Sequence, residues 1–190
     1  MEVVSRHVLA LPEGFRAREI ASFVSQMDDQ TRRLTADTRG ATVEELGWQP
    51  AQGMNTIGML LAHIAIVEVH WTQFGVLGRA PAPFVESLGI GGDDDGMPLP
   101  AEGTPPAALA GKDLAFFDDL LARARRQYKE VATGLAESDL DRVVTRTDRR
   151  GRARELDVRW ILYHMLEHFA GHYGQILLLR HQYRARQPKA

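Results

Sequence analysis

The chain has 190 residues and a mass of 21.2 kDa, 44% of them hydrophobic, with 23 basic and 25 acidic side chains for a formal net charge of -2. That size suits one domain over residues 1–190, and the charge balance argues against a broad basic footprint for nucleic acid. Seven histidines stand against no cysteine. Disulfides, cysteine-ligated zinc, iron–sulfur clusters and a thiol nucleophile of the chain's own are therefore excluded. Any metal chemistry has to come from imidazole and carboxylate.

The N-terminus carries Glu2 and Arg6 without a sustained apolar run, so no secretory signal is visible and a cytoplasmic location is expected. A first helix is expected over about residues 15–38, where Ile20, Phe23, Val24, Met27 and Leu34 recur at helical spacing and Gly40 is a stop. Thr42 followed three residues later by Glu45 reads as a capping box on a short helical turn, which Pro50 and Gly53 break. The longest charge-free stretch, residues 46–67, contains Gln49, Pro50, Gln52, Asn55 and His63. A spanning helix of about 20 apolar residues does not accommodate that set, so no membrane partner is expected. The second helix begins near Asn55 or Thr56 and runs to about Gly78. Ile57, Leu60, Leu61, Ile64, Val67, Val69, Trp71 and Phe74 make it apolar on nearly every side, the pattern of a central helix.

Residues 80–111 hold most of the prolines and the run Gly91-Gly92-Asp93-Asp94-Asp95-Gly96. A loop of that length inside one domain is a crossover, a lid or a mobile segment. Gly89-x-Gly91 lacks the strand–turn–helix setting of a dinucleotide site. Asp93-x-Asp95 begins like a calcium loop, but Met97 and Pro98 stand where a ligand and a glycine are needed. A third helix is expected over about residues 112–133, with Leu114, Phe117, Leu120, Leu121, Ala124, Tyr128 and Val131 on one side. Arg123, Arg125 and Arg126 read as its solvated face. Residues 141–156 form an extended excursion or small hairpin, and Arg146, Arg149, Arg150, Arg152 and Arg154 make it basic. Without aromatic partners this patch is a solvated surface, with the anionic group of a cofactor as one possible ligand. Asp157 caps a fourth helix reaching about Tyr183. Four long helices without strong strand signals make the chain all-α, a four-helix bundle.

On the second helix His63 shares an apolar face with Thr56, Leu60, Val67, His70 and Phe74. On the fourth, His164, His168 and His172 recur at every fourth residue, in line with Ile161, Gln175 and Leu179. A lone buried histidine is most often a hydrogen-bonded core residue. Three rings in line on an enclosed helix are costly to desolvate unless something pairs or coordinates them. Histidines four apart rise only about 6 Å and can share one ion, whereas His164 and His172 rise about 12 Å and cannot. His168 therefore belongs to the site, with either His164 or His172. The opposite face of this helix carries Leu162, Leu166, Tyr173 and Leu177, and covering it with a symmetry mate predicts a homodimer.

The segment His168-Phe169-Ala170-Gly171-His172-Tyr173-Gly174-Gln175-Ile176 resembles the last-helix signature of the DinB/YfiT-like metalloenzymes, a His-x-x-x-His pair followed by Gly-Gln and an aliphatic residue. Asn55-Thr56-Ile57-Gly58-Met59-Leu60-Leu61-Ala62-His63 resembles that family's second helix, and Trp48 and Pro50 match the Trp-x-Pro element before it. The resemblance covers essentially the whole chain. It implies an up-down-down-up bundle with the long crossover between helices two and three. It implies His63, His168 and His172 as metal ligands, with His164 a neighbour. The chain departs from the family pattern in the extra His164, in Tyr173 at a position often basic, and in the long Gly- and Asp-rich insert.

Three imidazoles suit a divalent Zn, Ni or Fe ion and leave positions open for water or substrate. The reacting group would be a metal-bound water or a substrate thiolate. His164, Glu167 and Gln175 are the candidates to orient the ligand rings. Glu68 points about 140° away from His63 and is a poor base. The resemblance implies transfer of a low-molecular-weight thiol, as cosubstrate, to an electrophilic small molecule. The missing cysteine fits a sulfur that arrives with the substrate. A non-catalytic metal- or ligand-binding bundle with a stress-related role, and a metal-dependent hydrolase, are the alternative readings.

Overall fold

The structure is a computed structural model and describes residues 7–147 and 150–186; Glu2, Arg6 and Arg149 of the sequence reading lie outside them. Among the described residues the chain is mostly helical with one two-stranded sheet.

Helix α1 (Arg18–Thr38) buries Ile20, Val24, Met27 and Leu34 along one stripe, the spacing that turns one face of a 3.6-residue helix to a core. Gly40, at φ +74, lets the chain leave in a conformation that side-chain-bearing residues avoid. Thr42 caps α2 (Val43–Gly47), its hydroxyl accepting the Glu45 N–H at 3.2 Å. The returning half of the expected capping box is replaced. The buried Glu45 carboxylate instead accepts from Arg180 Nε at 2.7 Å, on helix α6 (Val158–Ala185). A fully desolvated guanidinium is a stronger claimant on that carboxylate than a backbone amide.

Thr56 caps α3 (Ile57–His70), which buries every residue from Ile57 to Ile66 except His63. Its last turns widen into a π-helical stretch, Trp71–Val76. Residues Ile57–Val76 are apolar and long enough to cross a membrane by composition, yet most of that stretch is buried inside the protein. Gly58 lets α3 approach α5 (Leu114–Gly134): a Cβ there would meet Phe117 at 2.8 Å. Further along the same two helices Glu68 pairs with Arg125. Helix α6 is capped by Asp157, as its sequence suggests. It meets the π-helical stretch at Ile161, opposite Gly75, and α3 at the histidines. Helix α1 meets α6 through Glu19–Arg159 and Asp37–Tyr173, and meets α5 through Asp28–Arg125.

The place of Arg125 is corrected, and two other features take definite form. Arg125 is not on a solvated face: it is 7% exposed, because it stands four residues after Leu121 and three before Tyr128, on the same buried stripe. The crossover over residues 80–111 is anchored. It carries helix α4 (Ala82–Glu86), buries Val85, Leu88, Ile90 and Leu109, and returns Gly103 O to the Gly53 N–H at 3.1 Å. The α6 face assigned to a second subunit is half covered by its own chain, since Leu162 and Tyr173 are buried while Leu177 remains exposed.

The excursion is an antiparallel hairpin of β1 (Val143–Thr147) and β2 (Ala153–Asp157), with Val143 opposite Asp157 and Thr147 opposite Ala153. Two arginines of the excursion hold the end of the α3 segment. Arg146 donates to Phe74 O and Gly75 O, and Arg142 donates to Val76 O at 2.8 Å. These carbonyls end the α3 segment, where cations complement the helix dipole.

Candidate metal centre

His63 projects from α3, and His168 and His172 from α6, into one cluster. His168 Nε2 lies 3.1 Å from His63 Nε2 and 3.1 Å from His172 Nε2. One ring nitrogen from each residue falls within 4.8 Å of the others. The far sides of two rings are held. His63 Nδ1 donates to Asp95 Oδ2 at 2.8 Å, and His172 Nδ1 donates to Gln175 Oε1 at 2.8 Å. A ring that donates from Nδ1 presents its lone pair at Nε2.

That arrangement leaves the cluster rich in acceptors. With the Nδ1 protons of His63 and His172 committed outward, two lone pairs face His168 Nε2, and one proton there can satisfy only one of them. Protonating a further ring is opposed: burial first, then the neighbouring His172, His63 and His164, push the His168 pKa down to about 3. Burial, followed by the charge of His63, lowers His172 too, although Gln175 works the other way. Both shifts favour the neutral imidazole, the form that ligates metals, on His168 and His172. Convergent neutral imidazoles with outward Nδ1–H groups fit a divalent cation of the zinc class.

His164 stands outside the triad. It stacks on Trp160 at 4.8 Å and 10° and meets the edge of Trp71 at 5.2 Å. Its Nδ1 pairs with Glu167 at 3.0 Å, so His164 and Glu167 hold each other and neither hydrogen-bonds a triad ring. Gln175 is the one of the three expected orienting residues that does. Glu68 is turned away, gripped by Arg125 through Nε at 2.6 Å and Nη2 at 3.0 Å. His70 packs against Trp71 and Phe74, and burial, then Arg146, lowers its pKa. His7 and His181 are exposed.

Sequence reasoning missed Asp95. Its carboxylate is 4% exposed and comes from the crossover, 32 residues beyond His63. The Asp93-x-Asp95 pattern by itself suggests only a cation loop. The signal that could have singled it out is the rule that a ligating histidine needs an acceptor behind it. Beside the triad an open groove of about 360 Å³ is lined by Met54, Leu60, Gln175, Leu178, Leu179 and Gln182. The aromatic pair Trp71 and Trp160 stands at the other end.

Among curated proteins no sequence matches this chain. A solved structure described as a conserved protein of locus from Enterococcus faecalis shares its fold, with a TM-score of 0.63 and 16% identity over 86% of this chain and 96% of that one. The family model for mycothiol S-transferase matches residues 22–185, which include every histidine of the cluster. The chain therefore belongs to the mycothiol S-transferase family, within the DinB superfamily.

Proposed function

We propose that the protein is a metal-dependent enzyme that joins a low-molecular-weight thiol, mycothiol first among the candidates, to an electrophilic small molecule. The observation that carries this reading is the convergence of three Nε2 atoms, two of them on rings whose Nδ1 protons are held outward. A bound divalent ion would supply Lewis acidity and a partner for a thiolate. The chain's own part is to favour the neutral form of His168 and His172 by burial, to fix His63 and His172 through Asp95 and Gln175, and to offer the adjoining groove as a bed for substrate. With no cysteine in the chain, the sulfur belongs to the substrate. Attack forms the sulfur–carbon bond while the carbon's leaving group, chloride in the bimane assay, departs with its electron pair, and the proton of the thiol S–H passes to solvent.

The family match supports the thiol, and the helix contacts support an up-down-down-up bundle. Pairs Gly58–Phe117 and Glu68–Arg125 advance together along α3 and α5, as do Glu19–Arg159 and Asp37–Tyr173 along α1 and α6. The crossover then serves to return the chain for a parallel third helix.

The test is elemental analysis of protein purified without a histidine tag, followed by conjugation of mycothiol to monochlorobimane. The expected result is about one divalent ion per chain and turnover that disappears in His168→Ala and on chelation. Turnover at the wild-type rate in chelated protein and in His168→Ala overturns the proposal.

A further inference from the structure

We infer that Asp95 is a positioning residue for the metal centre, and that through it the crossover segment and the metal are energetically coupled. The inference rests on the metal reading above and extends it to a residue on neither histidine-bearing helix. Asp95 Oδ2 accepts from His63 Nδ1 at 2.8 Å, while Oδ1 accepts the Met97 N–H at 3.0 Å. A carboxylate this deeply buried, 4% exposed, is retained only if its oxygens are paired, and the described pairs are a ligand ring and its own turn.

The turn itself is built to present it. Asp94 Oδ2 accepts the Gly91 N–H at 2.6 Å, and Gly96 N donates to Asp93 O at 3.0 Å. Gly96 sits at φ +67 with Pro106 and Met59 within 3.5 Å of where a Cβ would be. Val85, Leu88 and Ile90 anchor the approach in the core. The glycine- and aspartate-rich run is thus a rigid bracket rather than a loose cation loop. Its carboxylate holds the proton on Nδ1, fixes the plane of the His63 ring and raises the basicity of Nε2. Gln175 does the first two for His172 without the charge. Coupling of this kind is reciprocal: if the bracket strengthens metal binding, the metal strengthens the bracket.

The test uses the full-length, tag-free protein as wild type, Asp95→Asn and Asp95→Ala. Zinc affinity is measured by competition with a chromophoric chelator, the visible spectrum is recorded with cobalt, and hydrogen exchange is followed across residues 91–97 with and without zinc. The expected loss of zinc affinity is about 10- to 100-fold for Asp95→Ala. Asp95→Asn should lose less, because an amide oxygen still accepts from Nδ1. The cobalt spectrum of Asp95→Ala should shift, and zinc should slow exchange of the Met97 amide in wild type but not in Asp95→Ala. Zinc affinity within twofold of wild type, with an unchanged cobalt spectrum, overturns the inference. Should Asp95→Ala fail to fold, the isosteric Asp95→Asn decides by the same criterion. A wild-type protein that binds neither zinc nor cobalt overturns the metal reading itself, a result distinct from a wild type that binds and a variant that binds equally well.

Discussion

Replacing Arg125 by Met tests whether the network behind the histidine helices is structural. Arg125 donates from Nε and Nη2 to the two oxygens of Glu68 and from Nη1 to Asp28 at 3.1 Å, and its guanidinium lies 5.9 Å from the Phe169 ring, next to His168. The side chains of Arg125 and Glu68 are 8% and 3% exposed. Burial alone would lower the Arg125 pKa, but the charges of Glu68 and Asp28 outweigh it and hold the guanidinium protonated. Met fills most of the volume, so the loss is electrostatic: Glu68 is left as a buried, unpaired carboxylate. Breaking such a pair costs about 3–5 kcal/mol, against near neutrality when both partners become apolar. Urea unfolding of the metal-free protein should therefore show Arg125→Met destabilised by about 3–5 kcal/mol, and Arg125→Met with Glu68→Leu recovering most of it. Zinc affinity should change little in the double variant. A single variant within 1 kcal/mol of wild type, or a double variant that loses conjugation activity while remaining folded and metal-loaded, would refute the reasoning. The second result would return Glu68 to the chemistry.

The metal-free protein should lose stability as pH falls below neutrality. The folded His168 pKa of about 3 lies below its unfolded value of 6.5, so the unfolded chain binds the extra proton first. The stability is present above the unfolded value and is lost between it and the folded one. At pH 5 an unscreened ring would contribute a loss of roughly 2 kcal/mol. His168 is partly open to solvent, so about 1 kcal/mol is expected, measured as a lower urea midpoint at pH 5 than at pH 7; equal midpoints would contradict it. Gln175→Ala removes only a neutral, exposed acceptor from His172, so zinc affinity in a chelator competition should fall by less than about 10-fold. A loss larger than that of Asp95→Ala would reverse the ranking of the two supports.

Periodicity made the long helices legible because each carries its own apolar stripe, and Asp157 and Gly40 mark a start and a stop that need nothing from elsewhere in the chain. It failed where a polar residue sits on a buried stripe. Arg125 has the position of a core residue and the chemistry of a surface one, and the conflict resolves only when Glu68 and Asp28 arrive from two other helices. Glu45 failed in the same way. The local pattern with Thr42 predicts a capping box, but Arg180, 135 residues away, takes the carboxylate.

The metal centre divides along the same line. Spacing along α6 is local, so His168 and a neighbour four residues away can be chosen from the sequence; spacing alone leaves His164 and His172 equivalent. Their difference is tertiary. His164 falls between Trp160 and Trp71, where its ring is stacked and its Nδ1 is taken by Glu167. His172, one turn beyond His168 on the other side, faces His63 with rings at 4.9 Å. Asp95 could not be chosen at all by spacing, because a crossover has no period. Its place depends on where the turn at residues 91–97 comes to rest on α3. An acceptor behind a ligand ring is nonetheless a chemical requirement that precedes any fold. A long segment with three consecutive carboxylates, Asp93 to Asp95, following a ligand histidine on the next stretch of chain is where such an acceptor can come from. On this view the long crossover does not merely lengthen the connection between α3 and α5. It delivers to His63 the carboxylate partner that Glu68 and Glu167 on the two histidine helices, committed to Arg125 and His164, do not supply.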